Sequence, residues 1–302
     1  MRARLSILAW ILACMTACGS SSVAQHVSQS PAQTATLTGQ LQSEKLDVGG
    51  VTRLYWLFVP STIDPVQPAP LLVVLHPCPA TTGAQTALGS HLDDTATANR
   101  FVAVYPQGAV MAATGGNCWN AGTCCTGADD VGFISQLIDH LTAELHIDQS
   151  RVFVTGFSYG ASMAYRLGCE LSGKVTAIAP VSGALVVGAC KPARPVSVLI
   201  MHGTADMNFP YQGDVSSAIP SVASDAALWA RIDGCANAGP QTTEGIVTTT
   251  QWRSCNGGTA VTLELITGAP HTWFGYEPNP VPGEPKANTV VWDFFKSLPI
   301  RT

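Results

Sequence analysis

The sequence predicts an α/β protein with a mainly parallel central sheet and helices on both faces of that sheet. Three observations lead to this class. Apolar and β-branched runs of strand length alternate with segments of helical period along the chain. Leu71–Leu75 is a continuous apolar run, as expected for a strand that is buried on both faces. With 302 residues and 46% apolar composition, the chain can bury a core of the size that such a sheet requires.

The elements follow in order from an expected start of the folded domain near Leu41. Strands are predicted at Val51–Val59, Leu71–Leu75, Phe101–Tyr105, Arg151–Thr155, Val175–Pro180, Val196–Met201 and Val261–Ile266. Helices are predicted at 84–99, 129–145, 158–168 and 289–297. The connections 106–128 and 202–224 exceed ordinary loop lengths, which favours a functional role for both.

The first residues are typical of an export signal. Arg2 and Arg4 precede the apolar run Leu5–Ala13, which is too short to span a bilayer. Cleavage is expected just before Cys18, which would then carry a lipid, with cleavage after Ser22-Val23-Ala24 as the alternative. The predicted organisation is a signal peptide at 1–17, a flexible tether at 18–40 and one domain at 41–302.

The charge of the chain argues against a polyanionic partner. Removal of residues 1–17 takes away two arginines and no acidic residue, so the formal net charge moves from −5 to −7. Nucleic acids and anionic membranes are therefore not expected as partners.

The cysteines predict disulfides. Beyond Cys14 and Cys18 the chain has eight, at positions 78, 118, 124, 125, 169, 190, 235 and 255, and an even set in an exported chain is typical of disulfide pairing. A zinc site would need paired C-x-x-C ligands or clustered histidines, whereas the adjacent Cys124 and Cys125 have no histidine nearby. No metal ion and no organic cofactor are expected.

Ser158 is the candidate nucleophile. It lies in Gly156-Phe157-Ser158-Tyr159-Gly160, between the strand ending at Thr155 and a predicted helix. A serine on a sharp strand-to-helix turn is exposed to substrate, and the two glycines leave room for that turn. The helix N-terminus also favours the negative charge that develops during acyl transfer.

An acid and a base are expected after the nucleophile, in loops that follow later strands. Asp206 comes directly after the buried strand ending at Met201, and His271 lies in the last loop before the C-terminal helix. Asp214, Asp225 and Asp233 are weaker candidates for the acid. The other histidines fit less well as the base, and His202 is expected to orient the acid loop by hydrogen bonding; those that precede the nucleophile are His26, His76, His91, His140 and His146.

Two backbone amides are expected to form the oxyanion hole. Tyr159, directly after the nucleophile, supplies the first. In His76-Pro77-Cys78-Pro79 the prolines have no N–H, so Cys78 is the donor within that stretch, with Ala80 or Thr81 as alternatives.

Taken together, these segments resemble the polyhydroxybutyrate depolymerase and feruloyl esterase family over about residues 45 to 298. The resemblance is carried by the motifs at 75–78, 118–122, 124–125, 129–133, 156–160, 202–206 and 271–273. It implies an α/β-hydrolase fold and a secreted carboxylic ester hydrolase with Ser158, Asp206 and His271 as its triad. Relatives usually have Gly where this chain has Pro77, and Trp-Pro-Gly where it has Trp273-Phe274-Gly275.

The resemblance also leads to expectations about the residues near the substrate and about the disulfide pairs. Trp119 and Trp273 are expected near the substrate, and adjacent Asp129 and Asp130 are interpreted as an N-terminal helix cap rather than as a pair of catalytic carboxylates. Pairing of Cys169 with Cys190 and of Cys235 with Cys255 is expected. Cys78 is paired with Cys118 in one arrangement, which leaves Cys124 and Cys125 as a vicinal pair or as an alternative set of partners.

The expected activity is hydrolysis of feruloyl or acetyl-xylan-type esters by a monomeric enzyme. Short-chain polyhydroxyalkanoate or polyester hydrolysis is the alternative. A surface binding protein that has lost catalysis is the alternative from another class, although all three triad positions are filled here.

Overall fold

The solid apolar runs form the centre of a large sheet, because a strand buried on both faces needs apolar side chains on both sides. The computed structural model describes residues 39–79, 81–122, 127–276 and 280–300. Within these ranges the main sheet has ten strands, and a separate ribbon has two.

The main sheet consists of β1 (Leu41–Val48), β2 (Val51–Phe58), β3 (Ala69–Leu75), β4 (Val102–Pro106), β7 (Ile147–Phe157), β8 (Ala177–Val181), β9 (Ser197–Gly203), β10 (Thr242–Glu244), β11 (Val247–Trp252) and β12 (Val261–Ile266). The small ribbon is β5 (Ala109–Val110) with β6 (Asn117–Cys118). The helices are α1 (Gly83–Ser90), α2 (Leu92–Asn99), α3 (Asp130–Glu144), α4 (Tyr159–Glu170), α5 (Val222–Ile232) and α6 (Ala287–Ser297).

The strand order is β1-β2-β4-β3-β7-β8-β9-β12-β11-β10. The six neighbouring strands from β4 to β12 run parallel, and the two strands at each edge pair antiparallel. In the register of β9 with β12, Gly203 lies beside Ile266 at the carboxyl ends of both strands. The loops that carry Asp206 and His271 therefore leave the sheet side by side.

The helices pack on both faces of the sheet, which confirms the predicted α/β architecture. Buried side chains of α3, α4 and α5 belong to the apolar core on one face. Those of α1, α2 and α6 belong to the core on the other face. In the part of the chain that the structure describes, no helix is long and apolar enough to cross a membrane.

The structure differs from the predicted elements in several places, and the short ribbon β5–β6 inside the predicted 106–128 connection is one of them. The segment 84–99 is two helices instead of one, because His91 adopts a φ of 54° between α1 and α2. The strands β1, β10 and β11 were not predicted, and all three lie toward the edges of the sheet, where one face meets solvent. Such strands need few apolar residues, so their sequence pattern is weak.

Among the residues that the structure describes, three disulfides are formed, and they confirm the two expected pairs, Cys169–Cys190 and Cys235–Cys255. The third joins Cys78 to Cys118, which selects one of the arrangements left open by the sequence. Disulfides of this kind are typical of proteins exported to an oxidising compartment, which indicates an extracellular protein. Cys124, Cys125 and Cys18 lie outside the described residues, as do the predicted signal peptide and nearly all of the predicted tether.

Candidate active site

Ser158 occupies a sharp turn between β7 and α4, with φ 59° and ψ −125°. A side chain at Gly160 would place Cβ 2.2 Å from the carbonyl oxygen of Leu75, and one at Gly156 would lie 2.5 Å from the carbonyl oxygen of Gly160. Only glycine fits at either position, as the motif predicts. The Ser158 amide donates to the carbonyl oxygen of Val181 at 3.1 Å, which fixes the turn against the end of the neighbouring strand.

The structure brings Asp206 and His271 together from loops 65 residues apart in the chain. His271 Nδ1 lies 2.8 Å from Asp206 Oδ2. The other carboxylate oxygen accepts the amides of Asn208 at 2.9 Å and Phe209 at 2.8 Å. A carboxylate at this distance favours the tautomer in which Nδ1 carries the proton, and Nε2 is then left with a lone pair to act as a base.

The environment of Asp206 favours its ionised form. Burial alone would raise the pKa of this carboxyl, but the hydrogen bonds from His271 and from the Phe209 amide outweigh burial and hold the pKa below its usual value. The charge therefore persists at neutral pH, where it orients the imidazole of His271.

His202 supports the acid loop, as the sequence predicted. Its ring is fully buried, and Nε2 donates to the carbonyl oxygen of Phe209 at 2.8 Å. Burial lowers the pKa of His202, so the ring is neutral and acts as a hydrogen-bond donor toward the turn that presents Asp206.

The loop that carries His271, called the base loop after its predicted role, packs against the turn that presents Ser158. The His271 ring lies 4.7 Å from the Phe157 ring, measured between centroids, and 5.9 Å from that of Phe209. The Ser182 hydroxyl donates to the carbonyl oxygen of Thr272 at 3.2 Å. These contacts hold the imidazole beside the residue that directly precedes Ser158.

The competing acids are bound elsewhere. Asp214 accepts hydrogen bonds from its own loop, at Ser216 and Ser217. The Asp225 carboxylate accepts the amide of Leu185, and that of Asp233 accepts the amide of Val196. Asp206 is the carboxylate that His271 contacts.

The loop that carries the predicted Cys78 donor is held by a buried network around His76. Burial lowers the pKa of His76 to about 4, so the ring is neutral. Its Nε2 accepts the amide of Gly108 at 2.9 Å, and its Nδ1 donates to the carbonyl oxygen of Pro77 at 2.7 Å. The Cys78–Cys118 disulfide ties the same loop to the ribbon β5–β6. Of the alternative donors, Ala80 lies outside the described residues.

Trp119 has a different role from the one predicted. Its side chain is fully buried, its indole Nε1 donates to the carbonyl oxygen of His76 at 2.8 Å, and its ring packs on the His76 ring at 4.8 Å. A side chain with no exposed surface cannot line the substrate pocket. The prediction of direct substrate contact is therefore wrong for Trp119, which instead supports the loop that carries His76 and Cys78.

Trp273 borders a cavity that is also lined by Phe157, the residue before Ser158. The cavity has a volume of about 260 Å³, and its lining includes Pro77, Gln85, Thr86, Ser90, Phe157 and Trp273. Pro77 directly precedes Cys78, Phe157 directly precedes Ser158, and Trp273 follows His271 by two residues. We call this cavity the acyl pocket. Tyr159, the predicted first oxyanion donor, lies at the start of α4 with its ring edge against Phe209.

A buried ion pair between β2 and α3 was not predicted from the sequence. Asp129 caps α3 through the amide of Gly132, as expected. Asp130 is instead fully buried, with one carboxylate oxygen 2.6 Å from an Arg53 guanidinium nitrogen and the other accepting the amide of Asn120 at 2.7 Å. The signal in the sequence was the position of Arg53 in β2, where it shares the inward face with Tyr55 and Leu57.

The described residues contain no cluster of three or more His, Cys, Asp or Glu side chains that could hold a metal ion. The chemistry available at this edge of the sheet is that of a serine, a histidine and a carboxylate, with backbone amides nearby.

Comparisons with known proteins agree with this arrangement. Residues 128–219 match the Phospholipase/Carboxylesterase family model. Feruloyl esterase B from Piromyces equi is 32% identical over 254 residues, which are 80% of this chain and 44% of that protein. Probable feruloyl esterase C from Aspergillus terreus is 28% identical, with 96% of this chain and 99% of that protein covered.

Solved structures show the same fold. The acetyl xylan esterase from Aspergillus awamori superposes with a TM-score of 0.62 at 18% identity, covering 85% of this chain and 99% of that one. The chain spans less than half the length of the Piromyces protein. The strand order, the family-model match and the structural similarity agree that this chain has the α/β-hydrolase fold.

Proposed function

We propose that this protein is a serine carboxylic ester hydrolase that acts on feruloyl or acetyl esters of plant polysaccharide. The observation that carries the proposal is the 2.8 Å contact of His271 with Asp206, in a loop packed against the turn that presents Ser158. The similarity to feruloyl esterases supports the substrate class.

The proposed reaction is acyl transfer in two steps. His271 Nε2 takes the hydroxyl proton of Ser158 as the serine oxygen attacks the ester carbonyl carbon. The resulting oxyanion accepts hydrogen bonds from the amides of Tyr159 and Cys78. When the intermediate collapses, the imidazolium gives its proton to the departing alcohol. Water then attacks the acyl-enzyme with the same base, which releases the acid and regenerates the serine.

Asp206 makes this proton transfer favourable. Its charge stabilises the imidazolium that forms when Ser158 loses its proton, and it keeps Nε2 directed away from the acid loop. The two amides that bind the carboxylate hold it in place without any need for reorganisation during the reaction.

The acyl pocket is where the proposed acid part of the substrate binds. A cavity of about 260 Å³ holds a volume equal to roughly nine water molecules at ~30 Å³ each. A hydroxycinnamoyl group is of this order of size, a polysaccharide is far larger, and an acetyl group fills little of the space. The aromatic rings of Phe157 and Trp273 suit a planar acyl group, so we favour feruloyl over acetyl esters.

Turnover of methyl ferulate and of a chromogenic acetate by Ser158→Ala tests the function. We expect a loss of at least about 1000-fold on both esters, because the acyl-enzyme cannot form. Ser162→Ala, one helical turn further on in α4, is the matched control and should retain activity. Equal activity of wild type and Ser158→Ala would refute the nucleophile, and a folded wild type without activity on any ester would refute the proposed function.

We further propose that the protein is exported as a monomer and anchored by a lipid on Cys18. The leader with Arg2 and Arg4 and the following apolar run support this route. The mass of the mature N-terminus tests it: a diacylglyceryl-modified Cys18 supports the anchor, and an unmodified Gln25 start refutes it. Size-exclusion chromatography with light scattering tests the monomer.

A further inference from the structure

Asn288 joins the two walls of the acyl pocket. It is the second residue of α6 and is fully buried. Its Oδ1 accepts the indole N–H of Trp273 at 2.9 Å, and its Nδ2 donates to the carbonyl oxygen of Ser90 at 2.6 Å. Trp273 lies on the base loop and Ser90 ends α1, and both residues line the pocket.

The chemistry of the two partners fixes which way the amide points. An indole N–H can only donate and a backbone carbonyl can only accept, so Asn288 must offer one acceptor and one donor. Aspartate could serve only the indole, and leucine could serve neither partner. Both partner groups are removed from bulk water, where an unpaired donor or acceptor is costly.

We propose that Asn288 is a positioning residue that sets the width of the acyl pocket and thereby determines the preference for bulky aromatic acyl groups. This inference rests on the proposed esterase function. Asn288 acts through Trp273: when the indole N–H is held, the ring lies as one wall of the pocket, at a fixed distance from the end of α1. Without the amide, the indole is free to rotate toward another partner and the pocket loses that wall.

The catalytic groups have their own supports, so the effect is confined to the pocket. His271 is held by Asp206 at 2.8 Å, and the Thr272 carbonyl accepts the Ser182 hydroxyl at 3.2 Å. The backbone of α6 is tied to the base loop by the Ala287 amide, which donates to the carbonyl oxygen of Phe274 at 3.0 Å. None of these contacts uses the Asn288 side chain.

The test compares Asn288→Leu with wild type on a small and a bulky ester. Leucine branches at Cγ as asparagine does, with two somewhat bulkier methyl groups that can neither donate nor accept a hydrogen bond. We expect kcat/KM for methyl ferulate to fall at least tenfold, mainly through KM, while kcat/KM for a chromogenic acetate stays within threefold. Thr289→Ala, at the adjacent exposed position on α6, is the control and should change neither value. Equal losses on both esters, or no loss on ferulate, would overturn the proposal.

A second pair of variants keeps the test decisive if Asn288→Leu does not fold. Trp273→Phe removes the indole N–H and keeps an aromatic wall, so it should show the same selective loss on ferulate. In the double variant with Asn288→Ala the losses should not add, because both changes break one interaction. Additive losses would overturn the proposal.

The failure of this inference can be told apart from failure of the proposed function. If wild type hydrolyses neither ester, the proposed function has failed. A crystal structure of Asn288→Leu or Asn288→Ala then tests whether Asn288 positions Trp273, without any measurement of activity. A displaced Trp273 indole supports the proposal, and an indole in its original place overturns it.

Discussion

Asp129 and Asp130 are adjacent carboxylates whose removal should have very different costs. Asp129 is exposed and caps α3, whereas the Asp130 side chain is fully buried and pairs with Arg53, whose side chain is 10% exposed. Replacing either residue by asparagine preserves its shape and removes one negative charge. Both variants lose the same charge. A difference between their unfolding free energies therefore reports the effect of burying that charge.

The expected cost of Asp130→Asn is about 3–5 kcal/mol of unfolding free energy, because the Arg53 charge is left buried without its counter-charge. The remaining contacts of Arg53, with the Gln107 carbonyl oxygen and the Phe133 ring, do not neutralise that charge. For Asp129→Asn the expected cost is at most about 1 kcal/mol, since asparagine caps a helix nearly as well and only the interaction with the helix dipole weakens.

Urea denaturation of the disulfide-bonded protein, followed by far-ultraviolet circular dichroism, measures both free energies. Urea is preferred to guanidinium because it does not screen the ion pair. The double variant Arg53→Met with Asp130→Leu removes both charges and should be much more stable than Asp130→Asn. A cost for Asp130→Asn no larger than that for Asp129→Asn would refute the reasoning.

Three further predictions follow from the same structure. Burial raises the pKa of Asp225 to about 7, above its value in the unfolded chain, so wild type should lose stability as the pH rises from about 4 to about 7. Asp225→Asn keeps an acceptor for the Leu185 amide. In denaturation curves, its unfolding free energy should rise relative to that of wild type between about pH 4 and about pH 7. A difference in unfolding free energy that does not change with pH would contradict this. Ser158→Gly should raise the unfolding free energy by about 1–3 kcal/mol over wild type while abolishing turnover, because φ 59° strains any residue except glycine. Loss of the Cys169–Cys190 disulfide, which spans 21 positions, should cost about 3 kcal/mol in the same assay, and an unchanged midpoint would refute that estimate.

The parallel strands and the order of the site residues could be predicted from the sequence. Strands buried on both faces have unbroken apolar runs, and the chemistry of acyl transfer restricts which residue types can follow Ser158. The contact of His271 with Asp206 matches that expectation. Their catalytic roles, and those of Tyr159 and Cys78, stay predictions until the variants are measured.

Other features depend on three-dimensional context that the sequence does not express. The burial of Trp119 follows from where the 106–128 loop folds back, and an exposed and a buried tryptophan have the same local pattern. The bond between Asn288 and Ser90 joins residues 198 positions apart. Arg53 was the exception, because a charged residue among inward-facing positions of β2 already implied a buried partner.

The register of β9 with β12 has a consequence for how the proposed esterase could be redesigned. Backbone hydrogen bonds along six paired positions, ending at Gly203 and Ile266, hold the starting points of the acid and base loops in one rigid frame. The far parts of those loops, including the exposed stretch around Val215, can then be lengthened, shortened or exchanged without moving those starting points. Libraries that vary these segments should therefore change which esters are accepted while leaving the chemistry intact.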